Sequence, residues 1–270
     1  MRYRIPSSAA FFLLAVLSFS GTNWAQSLGL APAQVVEKFK PGVPFEFELS
    51  TVNNGASPIE MSVQITDLWY NDNNEKVFSV PGTSPRSAAN WIQFVPEHFE
   101  VAAGGTQKMK AVVTPPVDAQ GGYYAVLFVQ SKPQLSPDQT KDGKTVFTNI
   151  RLGCLVLLSA DKSEQYKVEV SNIKLSPPTP GRGLDLSFDV SNGSNVHVFP
   201  LPRVAVLDAN HKLVAKAESE EKRFLPGQKD SMHVSWSGTL PAGSYTAVLT
   251  LSYGEDRIET QQIPFTVSAQ

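Results

Sequence analysis

An all-β chain built as two tandem immunoglobulin-like β-sandwiches is predicted by three features of the sequence. Apolar residues recur at every second position in short runs, clusters of Pro, Gly, Asn and Asp separate those runs, and one order of elements occurs twice. The chain has 270 residues, of which 41% are apolar and 18% charged, with 20 Pro and 18 Gly. That composition is globular rather than disordered or fibrous, and the length suits two domains.

The chain opens with Arg2 and Arg4, an apolar run from Ala9 to Phe19, and then Ser20, Gly21 and Thr22 leading to Ala25. This is the order of a secretory signal, so residues 1–25 are expected to be removed on export to the periplasm or outside the cell. The run of about 11 apolar residues is short of the ~20 that span a bilayer as a helix, and no later stretch is longer, so stable membrane insertion is not expected.

Strand periodicity begins soon after. Phe45, Phe47 and Leu49 alternate with Glu46, Glu48 and Ser50 before the turn at Asn53, Asn54 and Gly55. Met61, Val63 and Ile65 alternate in the same way and lead to Asn71, Asp72, Asn73 and Asn74, which read as a hairpin turn. Met109, Ala111 and Val113 follow the turn at Gly104 and Gly105, and Gly121 and Gly122 introduce Tyr123 to Leu127. The order recurs from Leu186 to Asn192, through the Pro226-Gly227 turn, to Pro241, Ala242, Gly243 and the run from Tyr245 to Leu249. Tyr123 or Tyr124, and Tyr245, stand where a strand begins after a Pro/Gly turn, the place of a tyrosine corner. The polar stretch from Asp161 to Gln165 puts the boundary between domains 26–161 and 162–270.

Several chemistries have no basis in the residues. The balance of 23 Lys plus Arg against 25 Asp plus Glu becomes 21 against 25 without Arg2 and Arg4, which gives no reason to expect a nucleic-acid partner. The single Cys154 cannot make an internal disulfide or supply a thiolate cluster, and it reads as a small buried hydrophobe. His98, His197, His211 and His233 lack metal-ligand spacing, and no nucleophile elbow, phosphate loop or dinucleotide fingerprint is present. No enzyme activity, cofactor or metal is therefore expected.

Three segments carry a resemblance: Trp91 to Pro96, Phe99 to Met109, and Gly122 to Phe128. Together with Leu28 to Pro32, Pro41-Gly42 and Asn53 they make residues 28–160 similar to the periplasmic pilus-chaperone (PapD-like) family, and equally to related envelope immunoglobulin-like domains of unassigned role. The second domain resembles that family by architecture alone. The resemblance implies a bent two-domain molecule whose first domain binds an extended segment of a partner protein by β-strand addition. A strand edge offers backbone hydrogen bonds, and its alternate side chains meet the partner.

The expected strand is Thr145 to Ser159, with Phe147, Asn149, Arg151 and Gly153 on the face toward the partner and Lys144 just ahead of it. Val146, Thr148, Ile150, Leu152, Cys154, Val156 and Leu158 line the other face, and from Leu155 to Leu158 both faces are apolar, as in a strand buried on both sides. The family also anchors a partner carboxylate between an Arg on the first strand and a Lys on the last strand of domain one. Here no Lys or Arg lies between Gln26 and Glu37, and Lys38 and Lys40 would serve only on a first strand that runs late. An alternative use of the same fold is a structural or adhesive envelope module with Trp69, Tyr70 and Trp91 as its docking surface.

Overall fold

The structure is a computed structural model that describes residues 28–135, 147–254 and 256–268. The expected signal at 1–25, most of the polar loop before the last strand, and Lys144 lie outside the described residues.

The alternation read from the sequence becomes strands. The first twelve are β1 (Leu28–Ala31), β2 (Gln34–Phe39), β3 (Phe45–Asn53), β4 (Ile59–Tyr70), β5 (Lys76–Ser79), β6 (Ile92–Val95), β7 (His98–Val101), β8 (Thr106–Val113), β9 (Gly122–Ser131), β10 (Gln134–Leu135), β11 (Phe147–Thr148) and β12 (Arg151–Ala160). A sheet in the order β1-β3-β8-β6 faces a sheet in the order β2-β12-β9-β4-β5, with β7 also paired to β4. Leu49, Met61, Met109, Leu127, Val129, Val156 and Leu158 are buried between them. Pro32 has no amide hydrogen and separates β1, which pairs with β3 in one sheet, from β2, which pairs with β12 in the other.

Seven further strands follow residues 161–167: β13 (Val168–Ser176), β14 (Leu184–Asn192), β15 (Leu201–Asp208), β16 (Leu213–Glu218), β17 (Lys229–Trp236), β18 (Gly243–Ser252) and β19 (Ile258–Val267). The orders β13-β14-β17 and β16-β15-β18-β19 enclose a second core around Leu186, Phe188, Val206, Phe224, Val234 and Leu249. The fold is two tandem immunoglobulin-like β-sandwiches. Among the described residues no helix is long and apolar enough to cross a membrane.

One device ends the equivalent strand in both sandwiches. Asn53 closes β3 and Asn192 closes β14, and both are buried. The Asn53 amide donates to the carbonyls of Ser57 (2.8 Å) and Val101 (3.1 Å) and accepts the Gly55 N–H (2.9 Å). Asn192 repeats the set, donating to Val196 and Phe224 at 3.0 Å each and accepting the Ser194 N–H at 2.9 Å. A short amide with donors and an acceptor on one fork satisfies turn groups that the end of the ladder leaves unpaired.

Tyrosine corners form in both halves. The Tyr245 hydroxyl donates to the Pro241 carbonyl at 2.9 Å, and the Tyr123 hydroxyl accepts the Gln120 N–H at 3.2 Å. Of the adjacent pair it is Tyr123, not Tyr124, that makes the corner. Tyr245→Phe is expected to cost the second sandwich about 1 kcal/mol, measured by urea unfolding.

The sandwiches are packed together. Leu68, Tyr124, Val126 and Leu157, from the outer face of the β2-β12-β9-β4-β5 sheet, bury Leu225, with Phe199 beside them. The Asn71–Glu75 turn folds as expected, with Asn71 Oδ1 accepting the Asn73 and Glu75 N–H groups, and it also reaches across. Asn74 donates to the Lys229 carbonyl (2.5 Å) and accepts its N–H (2.8 Å), as a neighbouring strand would.

Candidate partner-binding edge

β12 has two halves with different surroundings. Along one side it pairs antiparallel with β9 from Arg151 opposite Gln130 to Ser159 opposite Gly122. Along the other side β2 runs parallel to it only from Leu155 to Ala160. Among the described residues no strand pairs with that side of Arg151–Cys154.

Which backbone groups face the uncovered side follows from the alternation of the ladder. The Ser131 N–H donates to the Ile150 carbonyl and the Ala160 N–H to the Gly121 carbonyl, so even-numbered residues of β12 bond to β9. The Leu155 N–H instead donates to Ala33, on the β2 side. Odd residues therefore point outward, and the N–H and C=O groups of Arg151 and Gly153 lie on the open edge.

The side chains alternate between the faces of the sheet. Cys154, Val156 and Leu158 are buried in the first core, and burial pushes the Cys154 thiol up to about 11. A thiol held that high is protonated and unreactive at neutral pH. Leu155 and Leu157 face the second sandwich, which is why both faces of this half are apolar.

Further up the outer face, Arg151 and Gly153 are exposed. The Arg151 guanidinium lies 3.6 Å from the centre of the Phe128 ring, and Phe78 meets the same ring at 5.8 Å, edge-on. Gly153 sits opposite Phe128, and a Cβ there would stand 3.1 Å from the ring, so the glycine leaves room for the aromatic to lie across the strand. Phe147 is 63% exposed and Asn149 is exposed, which places both on the approach to the open edge.

The first strand runs later than the sequence suggested, because β2 extends to Phe39 and carries Lys38 opposite Ser159. Lys38 is paired with Glu164 at 3.4 Å. The cation next to the start of β2 comes from the second sandwich: Arg223 donates to Gln34 Oε1 at 2.8 Å, and burial lowers its pKa from the usual value. No local sequence pattern places Arg223 beside Gln34 or the Phe128 ring beneath Arg151; the chain fold alone brings them here.

The three aromatic residues of the alternative reading do not form one surface. Trp91 packs on Tyr123 at 4.3 Å and on Phe39 at 5.9 Å beside the first core. Trp69 and Tyr70 instead line a cavity of about 170 Å³ with Arg86, Tyr124 and Leu225, between the sandwiches.

No protein-family model matches the sequence, and no curated protein does. Among solved structures the chain is similar to the class 5 fimbriae chaperone CfaA, at 11% identity and a TM-score of 0.47, over 90% of this chain and 100% of that one. It is also similar to the E. coli chaperone DraB, at 15% identity and a TM-score of 0.41, over 91% of this chain and 97% of that one. A third similarity is to the Salmonella enterica SafA pilin–SafB chaperone complex, at 12% identity and a TM-score of 0.41, over 89% of this chain and 96% of the matched chain. The strand orders and registers described above define the fold without these likenesses.

Proposed function

We propose that this protein, exported by residues 1–25 to the periplasm or outside the cell, is a non-enzymatic binding protein. Its two units, 26–161 and 162–270, serve to hold an extended segment of a partner protein as an added strand along β12. Lys144, Phe147, Asn149, Arg151 and Gly153 face or flank that segment. The observation that carries the reading is the half-covered strand: β2 occupies the edge as far as Leu155, and beyond it, among the described residues, no strand stands beside the outward N–H and C=O groups of Gly153 and Arg151. An incoming strand continues the sheet in the line that β2 leaves, and gains main-chain hydrogen bonds that need no particular sequence. The exposed Phe147 and the Phe128–Phe78 pair offer apolar contact beside it.

The test is photo-crosslinking in the native host from a benzophenone amino acid at position 149, with mass spectrometry of the captured species. The expected result is one dominant adduct to an extended segment of another protein, lost in the Arg151→Pro background, which removes the outward N–H. Crosslinks confined to this chain's own β1, β2 and β9 would show that the edge is not used, and the spacer or adhesive use of the fold would replace this reading.

A further inference from the structure

The loop that connects β14 to β15 is one of the bridges from the second sandwich to the first. Gly122, at the start of β9, donates its N–H to the Asn195 carbonyl at 2.8 Å. Two residues on, His197 is 8% exposed and stands between the rings of Tyr124 (5.9 Å) and Phe199 (5.6 Å), edge-on to both. Its Nδ1 is buried and has no hydrogen-bond partner. A neutral imidazole fits such a seat, and a charged one does not, because burying a cation without a partner costs several kcal/mol.

The groups around the ring do not favour a second positive charge. Arg223 acts on it as a like charge, Tyr124 on β9 is a neutral phenol, and Tyr166 and Lys38 line the same cleft of about 200 Å³. Lys38 is itself paired with the Glu164 carboxylate at 3.4 Å. Burial first, and Arg223 second, hold the imidazole down to about 4 against an ordinary 6.5.

The geometry points to an acid-sensitive latch: protonation of His197 releases the β14–β15 loop from the first sandwich, and the two sandwiches separate before either unfolds. The latch does not depend on the strand-addition reading.

The sign follows from linkage. The closed form takes up a proton near 4 and the open form near 6.5, so the open form binds more protons between those values and acid favours it. Closure is at full strength above about pH 6.5 and weakens about tenfold per pH unit as pH falls toward 4.

Two amides report on closure directly, because their hydrogen bonds cross between the sandwiches: Gly122 N–H to Asn195, and Lys229 N–H to Asn74. Val234, in the middle of β17, reports on the second sandwich itself. The experiment is amide hydrogen exchange by NMR on the chain from residue 26 onward at pH 6.5 and pH 4.5, with each rate divided by its intrinsic value. In the wild type, protection of Gly122 and Lys229 is expected to fall about fortyfold while Val234 stays protected. In His197→Phe, which keeps an aromatic ring in the seat, the fall is expected to be under about threefold, and His197→Gln serves if the Phe variant does not fold. Three results would overturn the latch: unchanged protection of the wild type, an equal fall in the neutral variants, or a fall of Val234 in step with the other two, which is global acid unfolding.

Discussion

Replacing Arg151 with proline is expected to lower capture of an extended partner segment by at least about tenfold while both sandwiches stay folded. The reason lies in the alternation along β12. The Arg151 N–H points to the open edge, so Arg151→Pro removes an outward donor and puts ring carbons in the path of any added strand, and the ladder to β9 at Ile150 and Leu152 keeps its bonds. Leu152→Pro, one residue on, removes a hydrogen bond to β9, and the carbonyl left unpaired is expected to cost the first sandwich about 1–3 kcal/mol. Arg151→Ala separates backbone from side chain, because it loses the stacking on Phe128, about 0.5–1 kcal/mol, and retains the amide hydrogen. Affinity for the captured segment, measured by titration calorimetry with a synthetic peptide, should fall far more for Arg151→Pro than for Arg151→Ala. Equal affinities would mean that the edge amides do not carry the binding.

Asn192→Ala is expected to destabilise the second sandwich by about 3–5 kcal/mol, a fall in its thermal midpoint on the order of 15 °C. The substitution strands the buried Val196 carbonyl and the Ser194 N–H, and it takes one of two donors from the Phe224 carbonyl, which keeps the Val198 N–H at 2.9 Å. Asn192→Asp is the sharper variant. It retains the acceptor for Ser194 but turns a carboxylate oxygen toward two carbonyls, so the loss should be as large although the shape is conserved. Calorimetry of the two variants decides the matter, and a loss below about 1 kcal/mol for Asn192→Ala would show that water or a shifted turn satisfies those groups. The equivalent change at Asn53 acts on the first sandwich by the same mechanism.

Much of this fold was legible because period-two alternation is a local property. Phe47 and Leu49, or Leu186 and Phe188, declare a strand with one buried face whatever they pack against, and the repeated run ending in Asn53 and Asn192 declared two copies of one plan. The apolar residues on both faces from Leu155 to Leu158 likewise announced burial on both sides, although not by what. The extent of β2 was not legible, since Lys38 sits on it by virtue of pairing with β12 rather than through any pattern around it. The site residues divide in the same way. Arg151 and Gly153 of the proposed site were read from the strand that carries them, whereas the Phe128 ring comes to lie beneath Arg151 through register between β9 and β12.

The sequence by itself determined the all-β class, the two-fold repetition and the faces of β12, but the run read as one strand from Thr145 to Ser159 is interrupted at Asn149 and Ile150, and Phe147–Thr148 pairs with β10 instead. The tertiary structure decided where β2 stops covering β12, which backbone groups are therefore open, and how Leu225, His197 and Arg223 of the second sandwich close on the first. The physical reason is range. Side-chain alternation is set within a few residues, but edge coverage and inter-sandwich contact depend on pairing between segments far apart in the chain, as with Gln34 and Arg223, 189 positions apart.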